Sequence, residues 1–410
     1  MKKFSLLVVL AIFSISLFAQ KKDKSMFKEY EAGFYQNFIL KDVSNVEAKM
    51  DEEENFKNFE MDQSGLDLPN KVNLYKRVWA NDVISQGNAG SCWSYSTVSF
   101  LESEIYRINK TKIKLSEPYV IYWEYVEKAK AFVNTRGKSL FDQGSEGNAV
   151  TRIMAKYGVV PLSEYTGLKF DRKYHSHDAM MEEMLNYLKN VKKTDNWNEE
   201  QVVSTIKSIL NYHIGVPPTK FTVEGKEYSP KSYLSDYVKL NPNDFVEILS
   251  YKQGPYWQQV EYKVPDNWWH SKEYYNVPLD VFMEIVDKSI KEGYSMSIGG
   301  DVSEAGFVRS TQCAVVPTFD IPADYIDEDA RQFRFSNEST MDDHGMHLVG
   351  WLERNGEKWY LIKDSSSGSR NNDHNAKEFG YYFFRSDYIK LKMMGFTIHK
   401  DAVKDILKKF

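Results

Sequence analysis

The chain has 410 residues, 42% hydrophobic and 15% aromatic, which is enough for one large or two ordinary cores and too apolar for a disordered chain. A formal charge of −5 argues against nucleic acid as the main partner. Two cysteines, Cys92 and Cys313, are too few for a disulfide scaffold.

Taken in chain order, Lys2 and Lys3 precede an apolar run from Phe4 to Phe18 that ends in Ala19. Charge, a short apolar stretch and a small residue, in that order, predict a secretory signal peptide over residues 1–19, and the run is short for a membrane span. Export to the periplasm or the exterior is therefore expected, with a mature chain from about Gln20 and no membrane span in it. Residues 20–70 are acidic and polar, as in "EAKMDEEENFKNFEMDQS", with too few regularly spaced apolar residues to demand a packed element. They read as an N-terminal arm ahead of a folded unit over 71–410.

The stretch "QGNAGSCWSYS", Gln86 to Ser96, opens that unit. After Cys92, the apolar residues Tyr95, Val98, Leu101 and Ile105 recur every three or four positions and predict a helix to about Arg107. Further helices are predicted over Pro118–Phe132, over Asn148–Tyr157 with Gly158 as its stop, along Asp178–Leu210, and over Pro278–Gly293 between a proline start and a glycine stop. The charged run "KNVKK" reads as a solvated face. Later segments, "HLVGWLER", "KWYLIKDSS", "GYYFFRSDYI" and "MMGFTIHK", are short, aromatic and β-branched, and read as strands. Helices early and strands late predict an α+β fold, with a helical lobe against a sheet lobe and a cleft between them.

A cysteine at a helix start is poised to react. Unpaired backbone N–H groups and the helix dipole stabilise an anion there, and the thiolate is the nucleophilic form. Gly87, Gly90 and Ser91 permit a tight turn and leave the sulfur open, which a merely structural thiol does not require. Gln86 supplies an amide that can donate to an oxyanion together with the Cys92 N–H. A disulfide to Cys313 would leave this context unexplained, and the apolar run Ala314–Val316 marks Cys313 as a core thiol.

These residues resemble the active-site signature of the papain-like cysteine peptidases, with Gln86 at the oxyanion glutamine and Cys92 at the nucleophile. Ala89 stands where many secreted members carry a cysteine, so the disulfide made there by those relatives is absent. The resemblance implies a two-lobed papain-like fold and a histidine base in the sheet lobe. "HGMHLVGW" resembles the histidine strand in the register that selects His344, while His347, an odd number of positions on, faces the other side of a strand. "WYLIKDSSSG" places Asp364 where the family has asparagine, to orient His344 and favour its imidazolium. Ser366 lies at or beside the family's shielding tryptophan, so a more solvated Asp364 is expected.

Cys92 and His344 are 252 positions apart, against roughly 130–150 in small papain-like enzymes, so large insertions are expected between them. "LSEPYVIYWEYVEKAKAF", "EGNAVTRIMAKYGVVP", "IGVPPTKFTVEGKEYSP" and "ARQFRFSNESTMDDHGMHLVG" resemble the bleomycin hydrolase and aminopeptidase C branch. That resemblance implies peptide or protein substrates, aminopeptidase action, and a homo-hexamer whose C-terminal arm enters the cleft. The chain's "FTIHKDAVKDILKKF" ends about where that arm begins, which leaves endopeptidase action and a different oligomeric state open. No metal or cofactor is expected, since the sequence has neither a zinc-spaced histidine–cysteine cluster nor a phosphate-binding glycine motif. The alternatives are a Cys-His-Asp acyltransferase of transglutaminase type, which does not account for Gln86, and a catalytically impaired peptidase-like domain kept for binding.

Overall fold

The computed structural model describes residues 22–43, 57–366 and 372–410. The expected signal peptide over 1–19, most of the acidic stretch of the arm, and the end of the "KDSSSG" segment lie outside the described residues.

The two largest of four hydrophobic clusters among the described residues organise the chain, and the predicted periodicities build them. In the first, Val98, Leu101 and Ile105 of the helix Cys92–Asn109 pack with Val120 and Val126 of the helix Glu117–Asn134 and Ile153 of the helix Gly147–Tyr157. Each fully buried aliphatic side chain contributes roughly 1.5–3 kcal/mol. Ser116 caps the second helix by accepting from the Tyr119 N–H at 3.1 Å, and Gly158, at φ +79°, ends the third. The continuous stretch predicted over Asp178–Leu210 is two helices, Asp178–Lys193 and Glu199–Ile214. They separate at a turn over residues 194–197, where Asp195 is left-handed and Asn198 caps the second helix through the Gln201 N–H. Within "KNVKK" the lysines are solvated, but Val191 is buried.

The second core lies on a sheet of 11 strands. Its centre runs Tyr381–Arg385, Glu357–Lys363, His344–Arg354, Met296–Gly300, Met393–His399 and Phe245–Leu249, and each neighbouring pair is antiparallel. The helix Leu279–Lys291 packs on this sheet with Pro278 before it and Gly293, at φ +90°, beyond it, as predicted. "GYYFFRSDYI" divides: its strand ends at Arg385, and Ser386–Lys392 is helical. Met346 and Leu348 point into the sheet core beside Ile298 and Ile362.

The arm is more packed than its composition suggests. Ser25–Glu29 pairs antiparallel with Lys57–Met61, and Phe34, Ile39, Leu40, Val43 and Met61 are buried. Tyr35 Oη donates to Asn88 Oδ1 at 2.7 Å, which ties the arm to the loop before Cys92. Among the described residues no helix is long and apolar enough to cross a membrane.

Candidate active site

The loop before Cys92 is held from several sides. Gly87 is left-handed at φ +69°, and a Cβ there would stand 2.4 Å from the His175 carbonyl oxygen, so the turn requires glycine. The Gly90 N–H donates to Gln143 Oε1 at 2.7 Å, and Trp93 Nε1 donates to the Gln143 carbonyl at 3.1 Å. Cys92 is the first residue of its helix, so its N–H has no carbonyl a turn below to receive it. The thiol is partly exposed and free of any disulfide; Cys313 is also a free thiol, fully buried, and burial pushes its pKa up to about 12.

Strand pairing brings His344 and Asp364 together. Asn355 and Gly356 both have positive φ and turn the strand His344–Arg354 back onto Glu357–Lys363. That register sets His347 opposite Lys363, so His344 and Asp364 project from the same end of the hairpin. His344 Nε2 donates to Asp364 Oδ1 at 2.7 Å. Ser366 adds to the pair: its hydroxyl stands 3.2 Å from His344 Nε2 and donates to Asp364 Oδ2 at 3.0 Å. Gly345 lets this strand lie on the Cys92 helix, since a Cβ there would come within 3.0 Å of Ser96 Oγ and 3.5 Å of Trp93 Cα.

Burial alone would lower the His344 pKa. The Asp364 carboxylate and the Cys92 sulfur, each hydrogen-bonded to the ring as well as acting through charge, outweigh burial and raise it well above the ordinary histidine value. The expectation of a solvated Asp364 is corrected: it is 2% exposed. The strand end buries it, its N–H donates to the Gly380 carbonyl at 2.9 Å, and Ser366 supplies part of the cover that a tryptophan was expected to give.

Gln86 lies across the cleft loop from this pair and is buried. Its N–H donates to the Ser365 carbonyl at 2.9 Å, its Oε1 accepts from Ser365 Oγ at 2.6 Å, and its Nε2 donates to the Ala89 carbonyl at 2.7 Å. The amide is thus fixed with its nitrogen toward the cleft loop, and one of its two N–H bonds remains for another acceptor. Sequence reasoning missed Ser365 and Gln143. Each positions the loop through one contact made far along the chain, and neither carries a local signal.

His347 belongs to the opposite face. It is fully buried, its Nδ1 lies 2.9 Å from Ser99 Oγ, and burial, with Lys363 adding repulsion, holds its pKa well below the ordinary value. A neutral histidine in the core is the result. Among the described residues no group of three or more His, Cys, Asp and Glu side chains is placed to hold a metal ion.

A cysteine at a helix start, with a histidine held by a buried carboxylate on a facing strand, defines a papain-like cysteine peptidase. A profile of the Peptidase C1-like family matches residues 22–410, and the chain belongs to that family, in its aminopeptidase C and bleomycin hydrolase branch. It is 23% identical to aminopeptidase C of Streptococcus thermophilus over 85% of this chain and 88% of that one. It is 25% identical to bleomycin hydrolase of Gallus gallus over 54% of this chain and 59% of that one. The crystal structure of pepw from Lactobacillus rhamnosis superposes with a TM-score of 0.61 at 18% identity, covering 81% of this chain and 84% of that one, and shares the fold.

Proposed function

We propose that the protein hydrolyses peptide bonds through a thioester on Cys92, with aminopeptidase action as in the named relatives. The observation that carries this reading is the convergence of Cys92, at its helix start, and His344, bonded to Asp364 at 2.7 Å, on one cleft. In the resting state the raised His344 pKa favours its imidazolium form beside Cys92. Cys92 Sγ attacks the substrate carbonyl carbon, and the oxyanion is met by the Cys92 N–H and the free N–H of Gln86. His344 gives its proton to the leaving amine as the C–N bond breaks. Neutral His344 then takes a proton from water, which attacks the thioester and releases the acid, while Asp364 keeps the ring in place throughout.

The test is hydrolysis of fluorogenic peptides by purified wild-type and Cys92→Ala proteins. Turnover and labelling by an epoxide thiol inhibitor are expected in the first only, and retained turnover in the second contradicts the reading. Aminopeptidase action predicts cleavage of free peptides and not of their N-acetylated forms; equal cleavage of both indicates an endopeptidase. The same reading leaves the oligomeric state open between the hexamer that the resemblance implies and a different state, and light scattering on the purified protein measures it.

Export is supported by the order of Lys2, Lys3, the apolar run and Ala19. Mass spectrometry of protein recovered outside the cytoplasm should find an N-terminus near Gln20; an intact Met1 on that protein contradicts cleavage.

A further inference from the structure

The loop that presents Cys92 has no covalent tie, because Cys92 and Cys313 are both free thiols. Its order depends on hydrogen bonds, and their path ends on a lysine that takes no part in the chemistry. The peptide unit joining Ala89 to Gly90 is gripped at both edges. Its carbonyl accepts from Gln86 Nε2 at 2.7 Å, and its N–H donates to Gln143 Oε1 at 2.7 Å. A peptide unit is planar and turns as one body, so its orientation sets where the Gln86 amide points. Gln143 packs closely here, since a Cβ on Gly90 would stand 3.0 Å from Gln143 Cβ. The Gln143 carbonyl also accepts from Trp93 Nε1 at 3.1 Å, so this one residue touches the chain on both sides of the nucleophile.

Gln143 itself lies outside any helix or strand and needs support of its own. Lys128, on the helix Glu117–Asn134, gives it. The Lys128 ammonium donates to the Asp142 carbonyl at 2.7 Å and to the Gly144 carbonyl, the two that flank Gln143. Glu124, one turn earlier on the same helix, accepts from Ser145 Oγ at 2.8 Å. Lys128 is 0% exposed, and Glu124, Asp266 and Asp142 act on it through charge without a hydrogen bond. Burying an ammonium is costly, and an apolar side chain would fill the same space without that cost. What the ammonium adds is direction: two carbonyls converging on it orient the peptide units on either side of Gln143.

We propose that Lys128 is a positioning residue for the oxyanion site. It fixes residues 142–144, Gln143 fixes the peptide unit between Ala89 and Gly90, and that unit holds the Gln86 amide with its remaining N–H toward the cleft. The proposal rests on the peptidase reading above.

The test is steady-state hydrolysis of fluorogenic peptides by full-length Lys128→Met and Gln143→Ala proteins, each alone and each combined with Gln86→Ala, beside melting curves that report folding. Each single variant should lower kcat by about tenfold or more while KM stays within about twofold, because the donor it displaces acts in the transition state. In the Gln86→Ala background the amide being positioned is gone, so each should cost no more than about threefold further. An unchanged kcat in either folded variant, a loss carried by KM, or losses that multiply in full with Gln86→Ala overturns the proposal. Where Lys128→Met does not fold, Gln143→Ala decides by the same outcomes, because the path from Lys128 to the loop runs through Gln143. If the wild type hydrolyses no peptide, the peptidase reading fails by itself, and hydrogen exchange decides the clamp. The amides of residues 86–91 should then exchange about tenfold or more faster in the folded variants than in the wild type, and equal rates overturn it.

Discussion

At the scale of single residues, the site divides its labour between charge and position. His344 carries a pKa raised above its ordinary value, so its protonated form stabilises the fold fully below that value, and the contribution is lost as pH rises through the folded pKa. The same sign governs activity: the imidazolium form of His344 persists to higher pH than that of an ordinary histidine. Asp364→Asn keeps an acceptor for His344 and removes the charge, so the alkaline limb of the kcat/KM profile should move to lower pH; an unmoved limb contradicts a charge role for Asp364. Asp364→Ala also removes the orientation and should cost about 10–100-fold in kcat. Gln86→Ala removes one oxyanion donor and should lower kcat by about 10²–10³ with little change in KM. A larger effect on KM than on kcat would place Gln86 in ground-state binding instead.

At the scale of elements, the helix Cys92–Asn109 and the strand His344–Arg354 form the joint on which the chemistry sits. Gly345 lies against that helix without room for a larger side chain, so Gly345→Val must push the strand away from Trp93 and Ser96. A displacement near 1 Å at His344 should cost about 10²-fold in kcat, more than the variant costs in thermal stability, and steady-state kinetics beside a melting curve measures both. This joint was legible in the sequence. The spacing of Tyr95, Val98, Leu101 and Ile105 marks the helix, and strand alternation separates His344 from His347. Asp364 was legible as a third member but not in its burial, because its cover comes from Gly380 and the Ser365–Gln86 contact, far apart along the chain. The break over residues 194–197 was missed because apolar spacing continues across both helices and the cap at Asn198 is a single polar residue among many. The cavity beside Cys92 had no signal at all: five acidic residues, Glu146, Glu247, Asp266, Asp342 and Asp343, come from four segments and converge only once the sheet has formed.

At the scale of the whole molecule, the N-terminal arm closes the Gln86 side of the cleft. A groove of about 770 Å³ runs between residues 28–36 and the loop over residues 86–90, so the arm forms one wall of it, and the buried Phe34 and Ile39 hold the arm against the body. Tyr35→Phe removes the bond to Asn88 and should leave the fold intact while changing KM for substrates that extend into that groove; an unchanged KM for long and short peptides alike contradicts this arrangement. The two thiols likewise differ by placement, so a thiol reagent should titrate one cysteine in the native protein and two in denaturant. The central claim is that peptide hydrolysis passes through a thioester on Cys92. Its most direct test is mass spectrometry of the protein quenched in acid during turnover of an activated ester substrate. The account predicts one acyl group per chain, on the peptide carrying Cys92, formed and consumed at rates consistent with kcat and missing from Cys92→Ala. Turnover without acylation, or an acyl group on any other residue, would contradict it.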